Sequence, residues 1–467
     1  MKSINQSIQQ KLIHKKIGIW GFGVVGQSAL SYLDQFELKQ IEILNNTTFE
    51  LPTTKNKTHT IIQNESTIQD FLNDNDYIVV SPGIPLHDYQ AYKNKFISEL
   101  DLFYENNQAS TIAITGSLGK TSITHLLSNI LIKNNIKAVA AGNIGYPMLS
   151  LVTEATDNNN QKIDRIVLEL SSFQLNQAQF FVPDLAIITN VYDNHLDHHK
   201  SVTEYFDAKC NVFRLQKFEQ KALLPSDILP ELLHKFTLQH NWSFFCATKP
   251  TQEICNKLRN NSLYYLENKI IYKIDQGVTT TLFDNNQLEP ITFETNLLII
   301  IASLDLLKVS LESLPKIIAD LNIPDHRLQK IASINGSDFY NDSKSTVWQA
   351  TLQAVNCMDN KPIKLFLGGL SKGADRTPLL QALAEKNIEI YAFGKEAENI
   401  KLICSTLNIV CYTHTTLQES FDFCMHNITE PTNILFSPGG SSYDLFDNYI
   451  QRGECFTQLV KNFNSLI

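Results

Sequence analysis

The sequence predicts an α/β protein of three domains, and three observations support that prediction. The chain has 467 residues, more than one hydrophobic core ordinarily serves, so about two to four domains are expected. Short apolar segments of strand length alternate with helical patterns, as in parallel, doubly wound sheets. Pro324 follows two consecutive helical patterns and indicates a boundary. We expect a Rossmann-like N-terminal domain over residues 1–100, a P-loop-type central ATPase domain over 101–322 and a Rossmann-like C-terminal domain over 323–467.

Composition and charge argue against several classes of protein. The formal net charge of −9 provides no general attraction for nucleic acid or for an anionic membrane. The longest apolar run, residues 297–302, is far shorter than the roughly 20 residues of a membrane-spanning helix, and the N-terminus lacks the apolar region of a signal peptide. The eight cysteines include no CxxC pair, which disfavours a zinc ribbon or a redox motif. We expect a cytoplasmic monomer with reduced thiols, no nucleic acid partner and no membrane span.

The first domain contains a glycine-rich turn of the kind that binds dinucleotides. A predicted strand precedes the run Gly21-Phe22-Gly23-Val24-Val25-Gly26, and a helical pattern follows it. An acidic residue about 20 positions further on ordinarily holds the ribose of NAD. It is missing here, because the next strand ends in Asn45-Asn46. The turn therefore favours another diphosphate compound over NAD. A tight turn needed only to pack the helix on the sheet is the alternative.

A second glycine-rich turn belongs to the central domain. The run Gly116-Ser117-Leu118-Gly119-Lys120-Thr121 is close to a P-loop, although Ile114 occupies the place of the usual first glycine. Successive backbone amides and the N-terminus of the following helix attract phosphate. Lys120 adds a cation for the β- and γ-phosphates, and Thr121 offers a hydroxyl to Mg²⁺. A glycine-rich turn with an unrelated lysine is the alternative, but the strand before it and the helix after it favour nucleotide binding.

Two further side chains of the central domain suit metal ions. Glu169 lies at the end of an apolar strand, where an unpaired carboxylate is costly to bury but could bind Mg²⁺. A carboxylate paired to a structural cation is the alternative. His195 belongs to a histidine-rich turn after the strand that ends at Asn190, and it is a candidate second ligand. Lys209, judged by its spacing alone, resembles an ordinary solvated helix lysine.

Five motifs in chain order resemble those of the Mur ligases, the ATP-dependent amino-acid ligases of peptidoglycan precursor synthesis. They are GNIGYP at 142–147, ELSSFQL at 169–175, NDSKST at 341–346, LGGLSKGAD at 367–375 and SPGGSSYDLFDNYIQRGECF at 437–456. The resemblance covers all three domains. The SSFQL run and the QRG-x-x-F ending are most similar to the family members that add D-glutamate.

The resemblance implies a reaction and its participants. ATP would phosphorylate the terminal carboxylate of UDP-N-acetylmuramoyl-L-alanine. The amine of D-glutamate would then attack the acyl phosphate, and a tetrahedral intermediate would collapse to an amide, ADP and phosphate. Two anionic reactants must be brought together, so Mg²⁺, in two sites, and protein cations would neutralise them.

The resemblance also implies roles for particular residues. Catalysis would depend on Lys120, Glu169, His195 and Lys209. ATP would contact Gly116, Ser117, Gly119, Lys120, Thr121, Ser122, Asn296, Arg327 and Asp342. The UDP-substrate would contact Gly23, Asn45, Asn46, Asn143 and His195, and D-glutamate would contact Thr346, Lys372, Ser442 and Tyr449. The metal ligands would be Thr121, Glu169, His195 and Lys209, the last as a carbamate.

Two other functions stay open on the sequence alone. A sibling ligase would add a different amino acid, as folylpolyglutamate synthase and other Mur types do, although the SSFQL and C-terminal motifs disfavour it. A nucleotide-binding protein without activity would keep the fold, although intact Lys120, Glu169 and Lys372 disfavour that. The segment Thr292-Phe293-Glu294-Thr295-Asn296 departs from the family's H-N-x-x-N pattern and matches it only at Asn296.

Overall fold

The computed structural model describes residues 8–156, 163–192, 201–286, 291–321, 325–358, 360–371 and 373–466. The strands in these ranges form three separate sheets. Each sheet corresponds to one of the three α/β regions expected from the sequence, so the predicted fold class is confirmed. No helix in the described part of the chain is long and apolar enough to cross a membrane.

The first sheet is parallel throughout. Its strands are β1 (Lys16–Trp20), β2 (Gln40–Asn45), β3 (Thr58–Ile62), β4 (Tyr77–Val80) and β5 (Phe96–Ile97), in the order β3-β2-β1-β4-β5. The helices are α1 (Ile8–Leu12), α2 (Val24–Leu33), α3 (Glu65–Asp74) and α4 (Glu99–Asn106), with a 3₁₀ segment at His87–Lys95. The strand order reverses beside β1, and ligands of such sheets bind at that point, outside the carboxyl ends of the strands.

The central sheet has a parallel part and an antiparallel extension. Its strands are β6 (Ser110–Thr115), β7 (Ala138–Gly142), β8 (Arg165–Glu169), β9 (Leu185–Ile188), β10 (Lys221–Pro225), β11 (Trp242–Cys246), β12 (Leu263–Glu267), β13 (Ile270–Asp275) and β14 (Val278–Asp284). They are ordered β14-β13-β12-β11-β10-β9-β6-β8-β7, and only the β12-β13 and β13-β14 pairs among them are antiparallel. β6 therefore lies between β8 and β9, and the carboxyl ends of these three strands meet at one edge.

Helices and short 3₁₀ turns connect the central strands. They are α5 (Lys120–Lys133), α6 (Met148–Thr156), α7 (Ser172–Gln177), α8 (Val202–Arg214), α9 (Leu229–Lys235), α10 (Gln252–Lys257) and α11 (Glu294–Leu306), with a 3₁₀ turn at Ser226–Ile228. Helix α12 (Leu314–Ala319) follows. The sequence left residues 240–293 without a clear assignment, and the structure places β11 to β14 and α10 there.

The third sheet is mostly parallel. Its strands are β15 (Gln329–Ile334), β16 (Ser337–Asn341), β17 (Ile363–Gly368), β18 (Ile388–Phe393), β19 (Cys411–His414) and β20 (Asn433–Phe436), in the order β15-β16-β20-β17-β18-β19. Only β15, which pairs with β16, is antiparallel to its neighbour. The helices are α13 (Trp348–Asn356), α14 (Thr377–Leu383), α15 (Ala397–Thr406), α16 (Leu417–His426) and α17 (Tyr449–Leu466).

The chain divides into two compact units. The first contains Met1–Asn286 and Leu298–Leu314, and hence the first two sheets. One large cluster of buried side chains includes residues of both sheets, and a second, smaller cluster includes Trp20 and Phe71. The second contains residues 287–297 and 315–467 and builds its own core on both faces of the third sheet. The two boundaries expected between the three domains stay predictions.

Candidate active site

The turn between β6 and α5 has the backbone geometry of a phosphate-binding loop. Gly116 and Gly119 have φ angles of 148° and 84°, in the region that favours glycine. A Cβ atom at Gly116 would clash with Oγ1 of Thr189, so a larger residue does not fit there. Helix α5 begins directly afterwards, at Lys120, and its positive end faces the turn. The shortened glycine spacing is therefore compatible with an anion-binding turn, which we call the phosphate loop (residues 116–121).

An asparagine and a threonine that follow β9 hold the phosphate loop in place. Oδ1 of Asn190 accepts hydrogen bonds from the amides of Ser117 (3.1 Å) and Leu118 (2.8 Å). Oγ1 of Thr189 donates to the carbonyl oxygen of Leu118 over 2.6 Å. Sequence analysis assigned no role to either residue. Their position at the end of a strand that pairs with β6 was the signal that could have found them.

The Lys120 side chain lies across the phosphate loop. Its Nζ donates to the carbonyl oxygens of Gly116 (2.7 Å) and Ser117 (3.3 Å). Thr121 and Ser122 follow on the first turn of α5 and are half-buried and buried. A cation, two hydroxyls and the loop amides are therefore close together, and this combination suits an oligophosphate.

Glu169 ends β8 at the same edge of the sheet. It lies opposite Ile114 of β6, and its side chain is buried. Oε1 accepts a hydrogen bond from Nδ2 of Asn143 (3.1 Å), whereas Oε2 is buried without a hydrogen-bond partner among the described residues. Nor does Glu169 form an ion pair there, so the described contacts do not support the structural pairing considered above. A buried carboxylate oxygen without a partner is costly, and ligation of a cation would remove that cost. The site therefore fits Mg²⁺.

Lys209 is buried within α8, so the solvated lysine that its spacing suggested is wrong. Its side chain is 1% exposed, and Nζ lies 4.2 Å from the centre of the Tyr205 ring. Burial, followed by the charge of Lys120, holds the pKa of Lys209 well below its usual value. The Tyr205 hydroxyl lies 3.1 Å from that of Ser117. The helix that carries Lys209 is thereby tied to the phosphate loop.

The two glycine-rich turns of the first unit face one cavity of about 660 Å³. From the central sheet it is lined by Gly116, Lys120, Gly142, Asn143, Ile144, Gly145, Pro147, Ser171, Ser172, Phe173, Gln174, Tyr205 and Lys209. From the first sheet it is lined by Val24, Val25, Pro82 and Gly83. The cavity therefore adjoins both the phosphate loop and the start of α2, and it is large enough for a small-molecule ligand.

The first glycine turn is stabilised by a residue of the predicted UDP-substrate set. Oδ1 of Asn45, at the end of β2, accepts a hydrogen bond from the amide of Phe22 over 3.1 Å, and its Nδ2 donates to the carbonyl oxygen of Thr47 over 3.0 Å. Asn46 is exposed, and a Cβ atom at Gly23 would meet nothing within 4 Å. Asn45 thus has a structural contact, while Gly23 and Asn46 border open space.

Two predicted site residues, His195 and Lys372, lie outside the described residues. In the described part of the chain, no three His, Cys, Asp or Glu side chains are grouped as a metal site. Mg²⁺ is commonly held by one or two carboxylates together with substrate phosphates. Glu169 supplies one carboxylate, and its Oε2 has no hydrogen-bond partner among the described residues, which is consistent with that mode of binding.

In the second unit, buried arginines hold the loops that carry the predicted glutamate-binding residues. Arg452 is fully buried and donates to the carbonyl oxygens of Ser343 (2.7 Å) and Gly440 (2.9 Å). Arg376 forms an ion pair with Glu396 over 3.1 Å. It also donates to the carbonyl oxygens of Gly368, Gly369, Pro438 and Gly439. Neither arginine belongs to the predicted site, although Arg452 lies in the quoted QRG motif.

The described residues of the predicted glutamate set differ in their surroundings. Thr346 is exposed, Ser442 is buried, and Tyr449 is half-buried at the start of α17. Nζ of Lys344 lies 3.7 Å from the centre of the Tyr449 ring. Sequence analysis did not select Lys344, although it lies inside the quoted NDSKST motif.

Asp342, a predicted ATP contact, is buried at the end of β16. Its Oδ2 accepts a hydrogen bond from Oγ of Ser437 (2.7 Å), and its Oδ1 accepts one from the amide of Leu328 (3.1 Å). Burial raises the pKa of Asp342 to about 7, against the effects of these hydrogen bonds and of the charges on Arg327 and Arg452. A nearby cation or a bound cationic group would favour its ionised form.

Two predicted ATP contacts are left. Arg327 is half-buried shortly before β15, and Asn296 is buried on the first turn of α11. Its Nδ2 donates to Oγ1 of Thr292 over 2.9 Å. Thr292 is one of the two residues, with Phe293, at which the chain departs from the H-N-x-x-N pattern of the family. The substituted side chain thus serves as a hydrogen-bond partner of the one that matches.

Comparison with known proteins agrees with this geometry. Residues 114–292 match the Mur ligase middle domain, a range that contains the phosphate loop, Glu169 and Lys209. The UDP-N-acetylmuramoylalanine--D-glutamate ligase of Geotalea uraniireducens is 30% identical over 400 residues, covering 83% of this chain and 84% of the relative. The ligase of the same name from Francisella tularensis subsp. tularensis is 30% identical over 461 residues, 95% of each chain.

The fold has relatives among solved structures. The MurF ligase of Thermotoga maritima, solved in complex with ADP, superposes with a TM-score of 0.56 over 98% of this chain and 97% of its own. Its sequence is only 14% identical, so it supports the fold alone. The resemblance inferred from the five motifs is nevertheless confirmed by the curated relatives: the chain belongs to the Mur ligase family of ATP-dependent, amide-bond-forming ligases of peptidoglycan precursor synthesis.

Proposed function

We propose that the protein joins D-glutamate to UDP-N-acetylmuramoyl-L-alanine with hydrolysis of ATP to ADP and phosphate. The observation that supports this most is the cavity of about 660 Å³ that adjoins both glycine-rich turns. One turn has a lysine suited to phosphates, and the other is suited to a second, nucleotide-linked substrate. The names of the curated relatives support the same pair of substrates.

The first step needs charge neutralisation. A carboxylate of the UDP-substrate attacks the γ-phosphorus of ATP, so two anions approach each other. The Lys120 ammonium and the amides of the phosphate loop stabilise the charge on the phosphoryl oxygens. Before ATP binds, this ammonium is held by the carbonyl oxygens of Gly116 and Ser117. Exchange of these neutral acceptors for phosphate oxygens gives the stronger, charge-assisted hydrogen bonds.

The second step forms the amide. The amine of D-glutamate attacks the acyl phosphate, and the tetrahedral intermediate loses phosphate. We propose that Thr346, Lys372, Ser442 and Tyr449 hold D-glutamate, with Lys372 paired to one of its carboxylates. Orientation of the amine toward the acyl carbon is then the main contribution of this set.

We propose that Mg²⁺ binds in the central site through the Thr121 hydroxyl, Oε2 of Glu169, which has no hydrogen-bond partner among the described residues, His195 and a carbamylated Lys209. When bound, it would neutralise the phosphate oxygens and polarise the phosphorus–oxygen bonds. Asn143 donates to the other oxygen of Glu169 and thereby orients that carboxylate.

The surroundings of Lys209 support the proposed carbamylation. A neutral amine attacks CO₂ and loses a proton, giving a carbamate and H⁺. Burial and the nearby Lys120 lower the pKa of Lys209 and so raise the fraction of neutral amine. A wild-type sample in ¹³C-bicarbonate should show a protected carbamate signal by NMR that the Lys209→Arg variant lacks. An identical signal in both proteins would contradict this assignment.

We further propose that the enzyme acts as a monomer in the cytoplasm, where ATP and UDP-linked precursors are supplied. Its activity is tested by phosphate release with Mg²⁺, ATP and UDP-N-acetylmuramoyl-L-alanine, adding D-glutamate, L-glutamate or other amino acids in turn. Phosphate and an amide product only with D-glutamate would support the proposal. Turnover with another amino acid would identify a sibling ligase. ATP binding without turnover in any combination would indicate a nucleotide-binding protein without this activity.

A further inference from the structure

A second cavity lies at the opposite edge of the central sheet from the phosphate loop. It has a volume of about 440 Å³, and its wall includes Lys221, Lys273 and Lys308 with Asp305 and Phe218. We call it the lysine pocket. Lys221 is the first residue of β10, a strand that runs parallel to β9 and hence to β6. The phosphate loop follows the carboxyl end of β6, whereas the lysine pocket lies at the amino end of β10.

The positive charge of the lysine pocket is only partly balanced. Nζ of Lys273 lies 2.9 Å from Oδ2 of Asp305. That oxygen also accepts a hydrogen bond from the Tyr264 hydroxyl over 2.7 Å, so it is already shared by two donors. Within the described residues, neither Lys221 nor Lys308 forms an ion pair within 4 Å. The other carboxylate of the wall, Glu219, and His240 are both exposed. Outside the wall, Oδ2 of Asp275 lies 4.0 Å from Nζ of Lys273. Lys273 is therefore already paired, whereas Lys221 and Lys308 have no carboxylate within ion-pair distance among the described residues.

Lys221, in the wall of this pocket, is held in position by a backbone hydrogen bond. Its Nζ donates to the carbonyl oxygen of Leu306, the last residue of α11, over 2.6 Å. An ammonium has three donors, so this bond leaves others for a ligand. Burial and then the charge of Lys308 lower the pKa of Lys221, with Lys273 acting in the same direction and Asp305 against it. A bound anion would relieve this repulsion between lysines.

We propose that the lysine pocket binds a phosphorylated small molecule, with its phosphoryl group among Lys221, Lys273 and Lys308. A phosphoryl group offers several oxygens to separate ammonium donors, which suits three lysines better than a single carboxylate ligand does. The volume lies within the roughly 300–1,000 Å³ of small-molecule sites and exceeds what a phosphoryl group alone needs. Phe218, 81% exposed at the wall, provides an apolar surface for the organic part. This site is separate from the ligase reaction and does not depend on the proposed function.

The test is isothermal titration calorimetry of the full chain at low ionic strength, with pyrophosphate and with AMP as probes. The informative variant is Lys308→Asn. Lys308 is exposed and has a φ of 59°, a conformation that asparagine tolerates, so the variant should fold. Loss of one charged hydrogen-bond donor should weaken binding about tenfold. Lys221→Met tests the same site at a second lysine of its wall. Lys249→Asn, at an exposed lysine outside the pocket, is the matched control.

The phosphate loop also attracts these probes, so Lys120→Ala serves to separate the two sites. The proposal expects a binding event that persists in Lys120→Ala and in Lys249→Asn and weakens in Lys308→Asn and Lys221→Met. Tighter binding of AMP would identify an organic phosphate as the ligand, and tighter binding of pyrophosphate an inorganic one. Equal affinity of the wild type and Lys308→Asn for the probes would overturn the proposal. So would loss of all probe binding in Lys120→Ala, or displacement of the probes by an equal concentration of chloride.

Discussion

The two glycine-rich turns of the first unit share one backbone design and differ in the residue that follows. In each, a parallel strand leads into a glycine with positive φ, 89° at Gly21 and 148° at Gly116. In each, an asparagine at the end of the neighbouring strand accepts a turn amide through Oδ1, Asn45 in the first and Asn190 in the second.

The helix that follows each turn begins with a different side chain. Helix α2 begins at Val24, which is 68% exposed, whereas α5 begins at Lys120. Both turns present amides and the positive end of a helix, so both suit a polar ligand. Only the second adds a full positive charge. The comparison indicates that the backbone of both turns favours polar ligands. The Lys120 side chain then favours the more highly charged phosphates at the second turn.

The largest expected effect is the loss of that charge. Lys120→Ala should lower the rate of phosphate release by about 100- to 1,000-fold, the range for loss of one group that stabilises transition-state charge. Lys133→Ala, at an exposed lysine on the same helix, is the control and should leave the rate unchanged. The comparison would be wrong if both variants lost activity equally.

Replacement of glycine by alanine should lower the stability of the protein at Gly116 but not at Gly23. Gly116→Ala places a methyl group against Thr189 at a φ that alanine rarely adopts, so we expect a loss of about 2 kcal/mol of stability together with weaker ADP binding. Gly23→Ala borders open space and should leave the thermal unfolding temperature nearly unchanged. Equal destabilisation by the two substitutions would show that the turns are not distinguished in this way.

A buried glutamate between the two turn-bearing sheets should make stability depend on pH. Glu99 begins α4, and burial raises its pKa to about 7, against a backbone hydrogen bond from Leu149 of α6. Because the folded pKa is above the unfolded value, its contribution to stability is present below about pH 4.5 and is lost as pH rises through 7. Relative to Glu99→Gln, the wild type should lose on the order of 3 kcal/mol across that window. Thermal unfolding at pH 4.5 and 8 checks this, and parallel curves for the two proteins would contradict it.

The smallest expected effect concerns the first turn. Asn45→Ala removes the acceptor for the Phe22 amide, which should raise KM for the UDP-substrate about fivefold with little change in kcat. Steady-state kinetics with each substrate varied in turn measure this. A change in KM for ATP instead would move the role of Asn45 to the other turn.

Much of the fold could be read from local patterns, because each parallel strand is a short apolar run between turn signals. The apolar run at residues 77–80 forms β4, and the first of the two helical patterns before Pro324 overlaps α11. Residues 240–293 could not be read in the same way. There β13 and β14 form an antiparallel extension, in which β14 is mostly exposed and its threonines show no apolar alternation.

The predicted site was incomplete for a different reason. Lys209 has the spacing of a surface lysine, and its burial depends on α8 packing against segments far away in the chain. Asn190 accepts hydrogen bonds from backbone amides 73 and 72 residues away in the chain. Arg376 donates to backbone carbonyl oxygens 62 and 63 residues away. Hydrogen bonds of that kind carry no periodic signal in the sequence, so only the folded chain reveals them.

Outside residues 240–293, the sequence by itself determined the order of strands and helices. It also determined the two glycine turns and the identity of the charged groups, because these depend on residue type and on neighbours within a few positions. The tertiary structure decided which of those groups are buried and which two turns share a cavity. It also decided which carboxylate oxygen lacks a hydrogen-bond partner among the described residues. These properties arise only when distant segments pack together and exclude water, and exclusion of water lowers the pKa of Lys209 and leaves Glu169 suited to a cation.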